Sequence, residues 1–352
     1  MLICIFIFQS TLKKLGLFKY YDVKMLISRT PFRLSFYGGG LDYPSWYKKN
    51  KARVLCAGLD YHCYLTVREL PPFFNHKFRV SYSRVETTNK FEDINHPSVR
   101  EVLRKFGEGK SIEISHIGDL PARSGIGSSS SFTVGLISSL NGLDGKYIGR
   151  EALANAAIDL EQNQMGEMVG FQDQCAAAFG GLVIIEGDAD GIKPRKFVSR
   201  KEYTDYICSS LIMGFDGIER FSGIASKEID RFISKKVSEP LMNELSEISN
   251  EGIDLFGKEG DIDNHAQITK RIRDIKLEIN GDKFNPRTTD IINATEAAGS
   301  LCTRFMGAGG GGFFICWAPS HLHENIKNSV NIKTWVKVKI GKVGSQIIFN
   351  EN

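Results

Sequence analysis

The sequence predicts an α/β chain of the α+β kind. Three observations predict it. Up to about position 120 the residues read as strand after strand, with one short helix among them. A glycine- and serine-rich loop beginning at Asp119 then opens straight into an apolar helix. From Ala225 to Gly299 the chain turns mainly helical, before it closes in strands. With 352 residues it can bury a core for one large domain or two. Residues 1–24 are expected to be an extension that is optional or wrongly assigned to the chain.

The elements follow in order. Residues 25–37 alternate as a strand, with Leu26, Ser28 and Thr30 leading to Phe32, Leu34 and Phe36. Gly38, Gly39 and Gly40 end it in a turn. Strands are expected over Ala52–Ala57, Tyr61–Glu69 and Phe78–Val85, punctuated by Pro71-Pro72 and by Asn75 and His76. Pro97 to Phe106 reads as a short helix, with Val99, Val102 and Leu103 on one face, and Ile112–His116 as a strand. Residues 149–168 form a helix with Leu153, Ala156, Ala157 and Leu160 on its apolar face. Leu182–Ile185 and residues 206–215 are expected strands. Helices are expected over Ala225–Lys236, Leu241–Phe256, Ile262–Ile279 and Thr288–Gly299, each with apolar spacing near 3.6 and a charged outward face. Trp335–Ile340 and Gln346–Phe349 finish the chain as strands.

Composition excludes several classes. The net charge of +4 is small for this length, and no basic run is long enough for a nucleic-acid tail. The seven cysteines are scattered, without a C-x-x-C pair. That pattern reads as reduced cytosolic thiols, not a disulfide frame or a zinc site. The opening MLICIFIF is too short to span a bilayer. It lacks a small-residue cleavage site, and Lys13 and Lys14 follow the apolar run, against signal-peptide order. The expected location is cytoplasmic.

Candidate chemistry gathers at four places. In DLPARSGIGSSSS, Gly125 and Gly127 lead into Ser128 to Ser131 and an apolar helix. The first turn of a helix has free N–H groups and partial positive charge, so the stretch suits a phosphate cradle. A serine-capped helix with a flexible lead-in is the plainer alternative. Asp42 follows three glycines, where a polar ligand could meet bare backbone; a Gly-rich hairpin explains it equally. Glu161 stands at the edge of an apolar helix face, where a solvated carboxylate is the ordinary outcome. Asp173 lies beside the small residues Ala176 to Ala178, either paired and used or simply reaching water. The run Gly307-Ala308-Gly309-Gly310-Gly311-Gly312 satisfies G-x-G-x-x-G, but FFICW after it is a strand, not a helix. A dinucleotide fold is therefore rejected in favour of a glycine turn in a β-hairpin. Arg104 stands where a P-loop ending at Gly109-Lys110-Ser111 needs its first glycine. Protein-kinase signatures are also absent.

Three motifs in order resemble the GHMP small-molecule kinases: Arg29 to Asp42, Pro121 to Ser130, and Gly307 to Gly312. The middle one is close to the family's P-x-x-x-G-L-G-S-S-A. Together they frame nearly the whole chain from Met25 on. Within the family, the Gly-Gly-Gly-x-Asp of the first motif resembles the D-glycero-D-manno-heptose 7-phosphate kinases and the kinase part of fucokinases. It is less similar to galactokinase, which carries Gly-Glu-His before a Thr-Asp. Leu41 stands where the family commonly has Thr before that Asp.

The resemblance implies a two-part fold, with residues 25–200 an N-terminal, ATP-binding part like ribosomal protein S5 and residues 201–352 a helix-rich, ferredoxin-like C-terminal part. It implies a kinase using ATP and Mg2+ on a small-molecule sugar or sugar phosphate, with neither nucleic acid nor membrane as partner and a homodimer left open. Pro121, Arg123, Ser124, Gly125, Ile126, Gly127, Ser128, Ser129 and Ser130 would wrap the ATP phosphates. Ser129 and Glu161 would hold magnesium. Asp173 would take or orient the proton of the acceptor hydroxyl. Gly39, Gly40, Asp42, Gly309 and Gly310 would shape the sugar end. For a substrate phosphate the candidate cations are Arg33, Arg123, Arg220, Lys227 and Arg304, with Arg33 or Arg220 expected to make the contact. The leading expectation is phosphorylation of heptose 7-phosphate at its anomeric hydroxyl. Alternatives are a kinase of a free hexose such as galactose or fucose, and a catalytically silent sugar sensor. Ser129, Glu161 and Asp173 are all present, which weighs against silence.

Overall fold

The computed structural model describes residues 24–219, 222–280, 286–307 and 310–351. Most of the expected extension, and Arg220 and Gly309, lie outside the described residues. Two sheets organise the rest. The larger has eight strands, with β12 (Gln346–Glu351), β1 (Met25–Tyr37), β2 (Ala52–Glu69), β5 (Ile112–Gly118), β3 (Phe78–Ser81) and β4 (Val85–Thr88) side by side. Strands β6 (Leu182–Asp188) and β7 (Gly191–Lys196) extend it from the other half of β2. Among the described strands only β3 and β5 run parallel, and α2 (Pro97–Phe106) lies between β4 and β5 in the chain. The second sheet is antiparallel, ordered β11 (Thr334–Lys337), β8 (Leu211–Phe215), β10 (Phe313–Trp317), β9 (Cys302–Phe305). The last strand thus returns to the first sheet.

Strand β1 shows why the site forms where it does. Its first residues alternate between half-buried and buried, but from Thr30 on every residue is buried. That half lies under α3 (Ser128–Leu143) and α5 (Gln172–Phe179). The expected strands Ala52–Ala57 and Tyr61–Glu69 are one strand, β2. The residues left between those two expected strands, 58–60, lie within it at an irregularity. Pro31 pairs with His62, but Arg33 already pairs with Gly58, so the register jumps. A bulge of this kind bends a strand and re-aims side chains, and Arg33 is the residue that follows it.

Other expectations are corrected. Residues 206–209 are helix, the end of α6 (Lys201–Ser209), and only then does β8 begin. Tyr203 and Ile207, four apart, are that helix's buried pair, and the apolar run YICSSLIMGF straddles two elements. The expected helix over 149–168 is α4 (Arg150–Asp159) followed by a π-helical turn, Leu160–Gln164. The expected strand Phe78–Val85 is the hairpin β3–β4. The helices α8 (Glu239–Gly257), α9 (Ile262–Asn280) and α10 (Pro286–Ala297) fall within two residues of where periodicity put them, and α7 (Ser222–Ile233) starts and ends three residues earlier than expected. The last glycine motif lies between antiparallel β9 and β10, as a hairpin requires. Two short helices, α1 (Pro44–Tyr47) and α11 (His323–Asn328), carried no sequence signal strong enough to place them.

A buried histidine ties the layers together. Tyr37 Oη lies 2.5 Å from His265 Nδ1, and Tyr203 Oη lies 2.6 Å from Nε2. Tyr203 donates its own proton to Gly260 O at 3.0 Å, so it accepts from Nε2–H, and Tyr37 donates to Nδ1. The ring stacks on Trp317 with centroids 5.5 Å apart. Burial pushes the imidazole down to about 4, below its ordinary 6.5. A depressed folded value means stability present above pH 6.5 and lost as pH falls towards 4. A shift of this size corresponds to roughly 3 kcal/mol. His96, also pushed down to about 4 by burial, loses stability in the same window. His265→Phe is expected to flatten, without abolishing, the fall of denaturant midpoint between pH 6.5 and 4. An unchanged slope would exclude His265 from the acid limb.

Candidate active site

The glycine loop is built as an anion cradle. Gly125 and Gly127 adopt left-handed φ of 84° and 71°, and Gly127 is the N-cap of α3. Arg123 also takes a left-handed φ of 59°, an uncommon strain for an arginine. Its N–H donates to Ser128 Oγ at 3.1 Å, and Ser124 Oγ donates to Pro121 O at 2.6 Å. The first intrahelical donor is Ser131 N, onto Gly127 O at 3.0 Å. The N–H groups of Ser128, Ser129 and Ser130 therefore remain available for an anion. Ile126 is fully buried and its carbonyl accepts from Arg33 N at 2.9 Å.

The third glycine motif braces this loop from behind. A Cβ on Gly125 would stand 2.8 Å from Met306 O, and one on Gly312 would stand 2.6 Å from Ser124 O. Backbone meets backbone there, and Phe313 N donates to Ser124 O at 2.9 Å. The Gly307 and Gly312 ends of the motif thus face the phosphate loop, whereas the sequence reading assigned the motif to the sugar end. Gly310 is half-buried in that turn.

Asp173 stands at the mouth of the cradle. Its Oδ2 lies 3.0 Å from where a Gly127 Cβ would be. Arg33 Nε donates to Oδ1 at 2.6 Å and Nη2 to Oδ2 at 3.0 Å, a bidentate pair, while Nη1 donates to Gly125 O at 3.0 Å. Burial pulls the Arg33 guanidinium down, and the Asp173 carboxylate more than restores it, so its value ends above the ordinary one. The expectation that Arg33 binds a substrate phosphate is corrected: its fork is occupied by Asp173 and its remaining arm by the loop. Lys227, another candidate, is exposed.

Asp42 is buried against glycine backbone. Gly40 N donates to Oδ1 at 2.8 Å, and Gln172 N reaches Oδ2 at 3.5 Å. A Cβ on Gly170 would sit 1.8 Å from Oδ2, so only glycine leaves room there. Burial pushes Asp42 up from the ordinary carboxylate range, with the Gly40 N–H opposing it.

Glu161 is not a solvated helix carboxylate. It is 1% exposed and sits in the π-helical turn, a distortion frequent at functional sites. Ser130 Oγ donates to Oε2 at 2.8 Å and Gln174 Nε2 at 2.5 Å. Its Oε1 is buried with no partner. Burial pushes the carboxyl up to about 7. The hydroxyl on Glu161 is that of Ser130, while Ser129, one residue earlier on α3, is exposed. A buried carboxylate oxygen without a donor, beside hydroxyls and a phosphate cradle, suits a hard cation that keeps several waters. Among the described residues no group of three or more His, Cys, Asp or Glu side chains gathers. A cation here would share its ligands with a bound nucleotide.

Residues 95–181 match the GHMP kinases N terminal domain. That span holds the glycine loop, Glu161 and Asp173. That stretch of the chain is a GHMP kinase N-terminal domain. The kinase aligns at 27% identity over 327 residues with the D-glycero-alpha-D-manno-heptose 7-phosphate kinase of Campylobacter jejuni, across 87% of this chain and 93% of the relative. A mevalonate kinase of Thermococcus onnurineus is 24% identical over 237 residues, 64% of this chain and 65% of its own. The fold is shared with the D-glycero-D-manno-heptose 1-phosphate kinase of Bacteroides thetaiotaomicron, at a TM-score of 0.71 and 18% identity, over 92% of this chain and 98% of that one. Galactokinase of Lactococcus lactis, solved with galactose, superposes at 0.68 with 16% identity, over 97% and 99% of the two chains. The kinase has no helix among its described residues long and apolar enough to cross a membrane.

Proposed function

We propose that this kinase moves the γ-phosphoryl group of ATP to the anomeric hydroxyl of a sugar phosphate, D-glycero-D-manno-heptose 7-phosphate, giving the 1,7-bisphosphate. The observation that carries the transfer is Asp173, clamped by Arg33 against Gly127 at the mouth of the cradle. The choice of acceptor rests on the Campylobacter jejuni relative, aligned over most of both chains. It also rests on the Gly-Gly-Gly-x-Asp motif with its buried Asp42.

The free N–H groups of Ser128 to Ser130 hold the phosphates of ATP. Asp42 accepts from sugar hydroxyls and fixes the ring. Asp173 accepts a hydrogen bond from the acceptor hydroxyl and aims its oxygen at the γ-phosphorus. As the new P–O bond forms, the bond to the β-bridging oxygen breaks and ADP leaves. Because Asp173 is held ion-paired, orienting the hydroxyl is its main contribution, and the proton moves late. Phosphoryl transfer needs positioning and charge neutralisation more than a strong base. Glu161 and Ser130, with Ser129 beside them, would hold Mg2+, which neutralises phosphate charge when bound. We place the protein in the cytoplasm, where ATP is plentiful; its described cysteines are free thiols.

ADP release with Mg-ATP across heptose 7-phosphate, mannose, mannose 6-phosphate, galactose, fucose and mevalonate tests this. Preference for the heptose phosphate is expected. Preference for a free hexose would replace the acceptor proposed here, and ATP binding with no turnover on any acceptor would favour a sensor.

A further inference from the structure

With Arg33 committed to Asp173, a second cationic group at the sugar end has no assigned work. Lys276 on α9 and Arg304 on β9 converge beside Gly39. A Cβ on Gly39 would stand 3.1 Å from Ser35 Oγ, 3.2 Å from Lys276 Nζ and 3.3 Å from Gln172 Nε2. Arg304 is 7% exposed and donates through Nη2 to the carbonyl of Ser35. Its Nε, Ser35 Oγ and Gln172 Oε1 are all buried without a hydrogen-bond partner. No carboxylate among the described residues lies within ion-pair distance of either cation. The Asp42 carboxylate, itself held by the Gly40 N–H, acts on Lys276 from beyond that distance.

Such an arrangement is costly when empty. Two neighbouring cations repel, and a desolvated charge without a partner destabilises the fold. Burial pulls Lys276 down to about 7 and Arg304 to about 10, Arg304 lowers Lys276 further, and the Arg33 charge lowers both. Two orphaned donors, Arg304 Nε and Ser35 Oγ, beside two cations without an ion-pair partner suit an anion with several acceptor oxygens. Its position follows from the chain: Gln172 is the neighbour of Asp173, and Gly39 is three residues before Asp42. The group therefore lies near Asp42 and the Arg33–Asp173 pair, whose guanidinium acts on both cations.

We propose that Lys276 and Arg304, assisted by Ser35 and Gln172, bind a phosphate group carried by the acceptor and so select a phosphorylated sugar over its neutral counterpart. This inference rests on the sugar-phosphate reading above and names the residues that would enforce it. Guanidinium and ammonium donors suit phosphate oxygens.

The experiment compares kcat/KM for heptose 7-phosphate with that for the unphosphorylated heptose, in the full-length protein and in Lys276→Met and Lys276→Arg. Wild type is expected to prefer the phosphate. In K276M the preference should fall by about 10- to 100-fold, mainly through KM for the phosphorylated acceptor. K276R should retain most of it. Inorganic phosphate should compete with the acceptor in wild type and lose potency in K276M. Binding of ATP to each variant checks the fold, and Lys276→Gln takes the place of K276M if that variant does not bind ATP. A wild type that prefers the phosphorylated sugar, with K276M equally selective, overturns the anion site and leaves the sugar-phosphate reading standing. A wild type indifferent to the phosphate overturns both.

Discussion

Asp173→Asn is expected to bind ATP nearly as wild type does and to turn over at least about 10²-fold more slowly. Asparagine keeps the size of the side chain and can still accept from the Arg33 guanidinium through one oxygen. It loses the second charged arm of a bidentate pair whose distances are 2.6 and 3.0 Å. It also offers the acceptor hydroxyl a neutral amide where a carboxylate stood. The glycine loop is held by Pro121 O, Ser128 Oγ and the backbone of the last glycine motif, none of which changes. Single-turnover and steady-state kinetics with ATP titrations separate the two effects. Near-normal turnover would remove Asp173 from the chemistry.

Arg33→Met is expected to lower turnover by about 10²-fold as well, through Asp173 rather than through contact with substrate. Without the guanidinium, Asp173 is free to leave Gly127, and Gly125 O loses its donor from below the loop. The stability cost should be on the order of 1–3 kcal/mol, less than for a fully buried pair, because the Asp173 side chain is 23% exposed and can rehydrate. Lysine at this position restores charge but not the fork, so R33K should fall between wild type and R33M. The double variant R33M/D173N should be hardly slower than D173N alone, since both substitutions remove one interaction. Additive losses would show that Arg33 acts on its own, contrary to the geometry.

Much of the site was legible because its constraints are local. Gly125 and Gly127 are needed where the chain takes left-handed φ before a helix, and that demand shows directly in the residue types. Asp173 stands beside small residues, where a carboxylate is either paired or reaches water, and it is paired with Arg33. The central helices follow apolar spacing and fell in place. The rest depended on long-range packing. Nothing near Glu161 signals that the helix breaks into a π-helical turn and buries it. Ser130 and Gln174 meet it from 31 and 13 residues away. Arg33 looked like a spare cation because its partner lies 140 residues further along the chain. Lys276 did leave a trace: it sits four residues after Ile272 and next to Ile275, both buried, on the apolar stripe of α9. A lysine on such a stripe is more informative than one on the charged face, but only the approach of Gly39 shows what it faces. Continuity of β2 through Gly58 was hidden for the same reason, since the bulge opposite Arg33 is fixed by β1 and not by its own sequence.

The central claim is transfer of phosphate from ATP to the anomeric oxygen of an already phosphorylated sugar. Phosphorus NMR of the product made from heptose 7-phosphate and Mg-ATP tests it most directly. The account predicts a new sugar phosphate signal coupled to the anomeric proton, equal in amount to the ADP formed, with the 7-phosphate signal retained. ADP matched only by inorganic phosphate, or a new phosphate on any other carbon, would contradict it.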